Sequence, residues 1–524
     1  MTEHINNWIV LPVLLPLIAG ILTTLLRPKV MAQRIIGCIC IAATAVASLA
    51  LIITIPTEVG LHLTALGKWP APFGIAVVFD NISGALVCIA SIVALACYVH
   101  SFGSLPANVE RSWYHPLVHL LLMGVNFSFI TGDLFNLFVA FEIMLMASYG
   151  LLCVGAERRQ ISQAYKYIIL NLLGSTVFVL SAGLIYGALG TLNYADLARV
   201  IRERQMDGTL PAVTDAIAVM LVLVFALKGA VFPLWFWLPD TYHTPPASIT
   251  ALFGALLSKV GIYAILRLHP LLFAPIGGGE LNAVQLILPW AAGLTMLIAI
   301  VGAIGASEVR RLLAWVLISH VGYLMFGVAV MTQGSMAGTL FYMCQEMLVI
   351  AALFLCCSMI EQHAGTGDLR EMSGLHQRAP KLSIITFILL MALAGLPPMP
   401  GFFAKAMLVR EGLATGAWWL VAATLTTAVI TLLAVLRLWC HGFWMPPRGP
   451  RLVAPPGSSL GASPRLGWQF LATGGLVTAT VLLVLLSPQA VGITNDGARM
   501  LSEPQRYIQG VLGQDVQQVA EVKP

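Results

Sequence analysis

Five ionisable side chains stand inside runs that otherwise read as membrane-soluble. They are Glu142 in "LFNLFVAFEIMLMASYGLL", Lys228 in "FALKGAVFPLWFWLPD", Lys259 in "LFGALLSKVGIYAIL", His320 in "LAWVLISHVGYLMF" and Lys405 in "GLPPMPGFFAK". At ~1.5 Å of rise per residue, Glu142 lies ~12 Å into its run, Lys228 and Lys259 ~20 Å and His320 ~15 Å, within an apolar layer ~30 Å thick. A charge at that depth costs roughly 3 kcal/mol on insertion scales, so several in one chain point to a use. The chemistry these types share is proton transfer. Desolvation and a neighbouring carboxylate bias a lysine in opposite directions, so its proton moves when its partner moves. A neutral histidine relays between such groups, accepting at one nitrogen while donating at the other. The plainer alternative is a lysine that snorkels, or a Glu–Lys pair that only locks two helices; Lys228 and Lys259 are too central to reach a surface fully.

The elements that must carry these residues follow from composition. The chain has 524 residues, 59% apolar and 10% charged, far from the quarter-charged average of soluble domains. Apolar runs long enough to cross a bilayer fall near 8–26, 35–54, 79–99, 114–131, 134–154, 162–188, 212–238, 246–268, 284–304, 310–331, 337–360, 382–412, 417–443 and 467–487. In lipid, runs of this length satisfy their backbone only as helices, which predicts an all-α polytopic membrane protein of about fourteen spans. The segment "MTEHINNWIVLPVLLPL" lacks a basic leader and cleavage site and reads as a retained first span.

Basic residues cluster after spans 1 and 5 (Arg27, Lys29, Arg34; Arg158, Arg159) and before spans 10, 12 and 14 (Arg310, Arg311; Arg370, Arg378, Lys381; Arg448, Arg451, Arg465). With fourteen spans these loops share one side, which the positive-inside rule makes cytoplasmic, with both termini outside. Arg199, Arg202 and Arg204 fall on the other side, in "NYADLARVIRERQMDG", whose apolar residues recur at helical spacing and suggest a short interfacial helix. Lys228 precedes Pro233 in the seventh span, and a Gly/Pro break precedes Lys405 in the twelfth. Charged, broken spans an odd number apart indicate repeats inverted across the membrane.

The remaining polar residues have plainer readings. Asp80 and Asp133 begin spans as helix N-caps, Arg267 ends the eighth span and is expected to snorkel, and Trp235 and Trp237 resemble interfacial belt residues. His243, in the Pro-rich connection "PDTYHTPPAS", is a candidate for gating proton intake. The nine cysteines lie almost wholly in apolar runs without metal-ligand spacing. The sequence contains no Walker A motif, dinucleotide fingerprint or iron–sulfur pattern. No cofactor or metal is therefore expected, the chain is not expected to be an enzyme, and a net charge of +5 spread over many loops gives no reason to expect nucleic-acid binding.

The stretches "FEIMLMASYGLL", "ALKGAVFPLWFWLPDTYHTPPASITALFGALLSKVGIYAILRL", "RRLLAWVLISHVGYLMFGV" and "GLPPMPGFFAKAMLV" resemble the antiporter-like membrane subunits shared by respiratory complex I, membrane-bound hydrogenases and Mrp-type cation/proton antiporters. The paired prolines after Tyr242, the "ALFGALLSK" wording and Lys405 favour the Mrp branch; a proton-pumping subunit of a complex I or hydrogenase assembly is the alternative. The resemblance implies helices 1–3 in residues 1–110, two inverted five-helix repeats in 111–270 and 271–445, and a loop, last helix and tail in 446–524. It also implies a Glu142–Lys228 pair, Lys259 and His320 as central relay and Lys405 on the exit side. The partners it implies are further membrane subunits, with Na⁺ or K⁺ exchanged for protons. Relatives usually carry histidine and lysine in the eleventh span, where this chain reads "FYMCQEMLVIAALF". Glu346 is expected to replace them as the titratable group.

Overall fold

The computed structural model describes residues 6–57, 59–155, 158–273, 283–446 and 465–513. Arg448 and Arg451, and the side chains of Arg159 and Arg465, lie outside the described residues. Helices occupy every predicted span: α1 (Leu11–Leu25), α2 (Val30–Ile53), α3 (Asn81–Ser104), α4 (His115–Ile130), α5 (Leu134–Cys153) and α6 (Arg158–Leu189) come first. A short α7 (Tyr194–Met206) precedes the broken pair α8 (Val213–Gly229) and α9 (Leu238–Tyr242), followed by α10 (Ala247–Phe273). Next come α11 (Ala283–Gly305), α12 (Val309–Val330), α13 (Gln333–Ala364), the second broken pair α14 (Pro380–Ala394) and α15 (Pro400–Ala414), α16 (Trp418–Trp439) and α17 (Arg465–Leu485). Among the described residues, eleven helices are long and apolar enough to cross a membrane.

The core sits where apolar helices meet other helices on all sides. The apolar stretches of α10 and α13 are 100% buried, whereas those of α2 and α17 are 28% buried. The close approach that places α10 is made by glycine: a Cβ on Gly261 would lie 2.7 Å from the Gly229 backbone nitrogen, so α8 and α10 touch backbone to backbone.

Two features lie beyond the predicted spans. A hairpin of β1 (Leu61–Ala65) and β2 (Ala76–Asp80) runs antiparallel with Leu61 opposite Asp80. After α17 the chain adds α18 (Ser487–Ser502), which packs on α13 and α3, and α19 (Pro504–Leu512), which packs on α7. The loops expected on the less basic side touch one another through Val77 with Thr131 and Asp133 with Asn193; on the basic side, Glu308 bridges Asp368. The interfacial α7 forms with Leu197 and Ile201 buried, and Arg199 pairs with Asp196 at 2.7 Å and Glu203 at 3.0 Å. Burial alone would lower the Arg199 guanidinium; these two carboxylates hold it above its usual value.

Asp80 and Asp133 cap α3 and α5 by accepting from the Ser83 and Asn136 amides, as expected. Two other expectations are corrected. Arg267 does not snorkel: it is 4% exposed, pairs with Asp80 at 2.7 Å and donates to the Tyr263 hydroxyl at 3.1 Å. A cap carboxylate held by the first turn of α3 gives the guanidinium a planar partner inside the protein, which replaces water at the surface. Trp235 and Trp237 are buried, not interfacial. Trp237 donates its indole N–H to the Leu227 carbonyl at 3.2 Å, a group at the end of α8.

Candidate functional site

Breaks in regular helix expose backbone groups, and in an apolar medium each needs a partner. α8 ends at Ala230, which is left-handed at φ 58°, and the Phe232 amide beyond it donates to Thr295 Oγ1 of α11 at 2.9 Å. α14 ends at Gly395, with φ 76°. Within α10, residues Phe253–Leu257 wind as a π-helical turn. The lysines meet two of these irregularities directly. Lys259 Nζ donates to the Gly254 carbonyl at 2.9 Å, and Lys405 Nζ to the Ala394 carbonyl at 3.0 Å. Gly395 leaves room for the second contact, since a Cβ there would lie 3.0 Å from Lys405 Cδ.

Lys228, 4% exposed, faces the Phe141 ring at 5.2 Å and lies 3.4 Å from Ser175 Oγ. Ser175 in turn donates to Glu142 Oε1. The expected Glu142–Lys228 pair is thus joined through a serine of α6, with Glu142 half-buried. Next to α8, the central group is a direct ion pair: Lys259 Nζ stands 2.6 Å from Glu346 Oε2, and His320 Nδ1 stands 4.0 Å from Glu346 Oε1. All three residues are 0% exposed. Glu346 therefore touches Lys259 from α13.

From His320 the row continues through aromatic rings. His320 lies 5.8 Å from the Tyr323 ring and 5.6 Å from that of Tyr342, and Lys405 Nζ lies 4.9 Å from the Tyr323 centroid. Gln345 is fully buried beside Glu346, and its side-chain amide has no hydrogen-bond partner among the described residues. His243 is not in this row. Its Nδ1 lies 3.0 Å from the Pro239 carbonyl, and it lines a cavity with Arg310 and Glu361 on the basic face.

Every ionisable member of the row was legible in sequence, whereas Ser175, Tyr323 and Tyr342 were not. A serine in a membrane helix ordinarily bonds its own backbone, as Ser181 does to Val177 in the same helix, so nothing in sequence marked Ser175. The arrangement holds titratable groups on α5, α8, α10, α12, α13 and α15 in two linked sets: Glu142 and Lys228 bridged by Ser175, and Lys259, Glu346, His320 and Lys405 joined by direct contacts and the Tyr323 ring. The helices α8 and α10, which carry Lys228 and Lys259, touch backbone to backbone at Gly229 and Gly261.

Known proteins share this chain's sequence pattern and architecture. The family model described as NADH:quinone oxidoreductase/Mrp antiporter, TM matches residues 131–431, which span every residue of the row. A Na(+)/H(+) antiporter subunit of Bacillus subtilis (strain 168) is 36% identical over 97% of this chain and 99% of its own length. The same-named subunit of Alkalihalophilus pseudofirmus is 36% identical over the same shares. Among solved structures, a chain of the Mrp complex from Dietzia sp. DQ12-45-1b superposes with a TM-score of 0.86 at 27% identity, covering 98% of this chain and 100% of that one.

Proposed function

We propose, for a chain that belongs to the NADH:quinone oxidoreductase/Mrp antiporter family, that it is a proton-translocating subunit of a multisubunit Na⁺(K⁺)/H⁺ antiporter. It is a multi-pass membrane transporter subunit and not an enzyme, and it works with the other membrane subunits of such a complex. Protons pass along the bilayer centre between Glu142, Lys228, Lys259, Glu346, His320 and Lys405, coupled to cation efflux. The observation that carries this reading is the 2.6 Å Lys259–Glu346 contact with His320 beside it, all fully buried. An ion pair at that depth that served stability alone would be replaceable by apolar packing at no loss.

The same reading assigns fourteen crossings, two inverted repeats in residues 111–270 and 271–445, and a bacterial inner membrane with both termini outside. It is supported by the matched helix breaks at Ala230 and Gly395 and by the loop contacts on the two faces. The relatives 36% identical to this chain carry antiporter names, which favours cation/proton exchange over a complex I pump.

The test uses vesicles containing the whole complex. Glu142→Ala abolishes cation-dependent dissipation of a pH gradient; full retained activity removes Glu142 from the route. Small hydrophobic subunits without flavin or iron are expected to co-purify, and an iron–sulfur arm contradicts the antiporter assignment.

A further inference from the structure

We propose that the half-buried cavity on the basic face, ringed by His243, Glu308, Arg310, Glu361 and Asp368, is where protons are taken up for the mid-membrane row. Glu361 is the accepting carboxylate and Arg310 is its latch. The inference rests on the reading that protons pass through Lys259 and Glu346. The cavity measures about 390 Å³, and the side chains of Glu361 and Arg310 are 29% and 16% exposed, so water reaches the pair.

Its rim is held by backbone. Val309 donates to the Gly367 carbonyl at 3.0 Å and Leu369 to that of Ser307 at 2.8 Å, which fixes the loops bearing Glu308 and Asp368. The third side is the connection from His243 to Pro246, whose Pro245 carbonyl also accepts from Thr250 Oγ1 at 3.2 Å. Arg310 Nη1 donates to the Pro245 carbonyl at 2.7 Å, while Nε and Nη2 form a bidentate bridge to Glu361 at 2.7 and 2.6 Å. A proton taken up by Glu361 removes one charge of that bridge and weakens its two charge-assisted bonds. The guanidinium that loosens also donates to the Pro245 carbonyl in the connection leading into α10, the helix of Lys259.

Buried polar groups also cluster near the same carboxylate, at the basic-face ends of α3 and α10. Ser358, one turn before Glu361 on α13, lies 3.1 Å from His100 Nε2 of α3. Ser101, next to His100, and Ser248, in the first turn of α10, lie beside the Tyr114 hydroxyl. All four hydroxyl residues and His100 are buried, and Ser358 also lies 3.4 Å from the buried Gln469 side chain. The charged and titratable groups that face Glu361 among the described residues are Arg310 from the start of α12, Glu308 and Asp368 from the rim loops, His243 from the α9–α10 connection and Cys357 from its own helix. His100, buried against Ser358, is also within reach of the Arg310 charge. If Arg310 and Glu361 were only a staple between α12 and α13, removing the titratable group would change assembly and leave the pH dependence alone.

The experiment measures cation-driven pH-gradient dissipation between about pH 6 and 9 in vesicles holding the full complex. Complex abundance is followed in parallel for Glu361→Gln, Glu361→Asp, His100→Asn and a Lys259→Ala reference. Glu361→Gln is expected to lose at least about tenfold in rate and to lose the pH dependence of loading, with Glu361→Asp restoring the profile. His100→Asn is expected to slow transport by about tenfold and keep the wild-type profile. Wild-type rate and profile in Glu361→Gln overturn the proposal, whatever His100→Asn does. So does equal impairment of Glu361→Gln and Glu361→Asp with an unaltered profile. Wild-type transport by Lys259→Ala instead overturns the mid-membrane route itself, which separates the two failures.

Discussion

Ser175 decides how Glu142 and Lys228 act on each other. A direct pair would hold its proton between two charges, whereas a hydroxyl that donates to the carboxylate and approaches the ammonium lets the two groups stay apart and still exchange. Removing one hydrogen bond to a charged group costs roughly 1.5–3 kcal/mol. Ser175→Ala is therefore expected to slow antiport by about ten- to a hundredfold. Its complex abundance is expected to stay normal, because α6 is one of the less buried helices and tolerates a smaller side chain. Measured rates equal to wild type would return Ser175 to a packing role. At this scale the ionisable members were legible, because a charge in an apolar run has no cheap bland explanation. Arg267 was not, since its partner Asp80 is 187 residues away in sequence and the end of a span looks like a snorkelling position.

Helix breaks do two jobs at the scale of the element. They interrupt α8 and α14 in matching places, and the π-helical turn of α10 and the end of α14 present carbonyls that anchor Lys259 and Lys405. Gly395 is the hinge of the second break, both left-handed at φ 76° and close against Lys405. Gly395→Ala adds a backbone cost of roughly 1–2 kcal/mol and presses on the lysine stem. It is expected to lower the melting temperature of the detergent-solubilised complex and to impair transport more than that loss of stability explains. Unchanged transport in a destabilised variant would confine Gly395 to folding. The Gly/Pro spacing around Lys405 and Lys228 made the breaks readable in sequence. The π-helical turn was unreadable, because "FGALLSK" carries no break residue beyond one glycine and its winding is set by packing in the core, where a Cβ on Gly254 would lie 2.8 Å from Phe354. The hairpin formed by β1 and β2 was missed because β2 runs straight into the apolar start of α3, so that one hydrophobic stretch serves two elements.

For the whole molecule, the titratable groups run from the half-buried Glu142 to Lys405 by way of the two most buried helices, and the cavity lined by His243 and Glu361 opens at one face of the same core. The general architecture was legible because lipid leaves the backbone few choices. The roles of α18 and α19 were not, because short amphipathic segments show in sequence that they pack, but not against what. Here α18 covers α13, the helix of Glu346, and α19 closes over α7. Proton conduction by the row stands or falls most directly on Glu346, because this carboxylate lies against both Lys259 and His320. The decisive measurement is the pH profile of cation-dependent pH-gradient dissipation by the complete complex carrying Glu346→Gln. Loss of transport at unchanged complex abundance is the expected result, and wild-type transport with an intact profile would contradict conduction through the row.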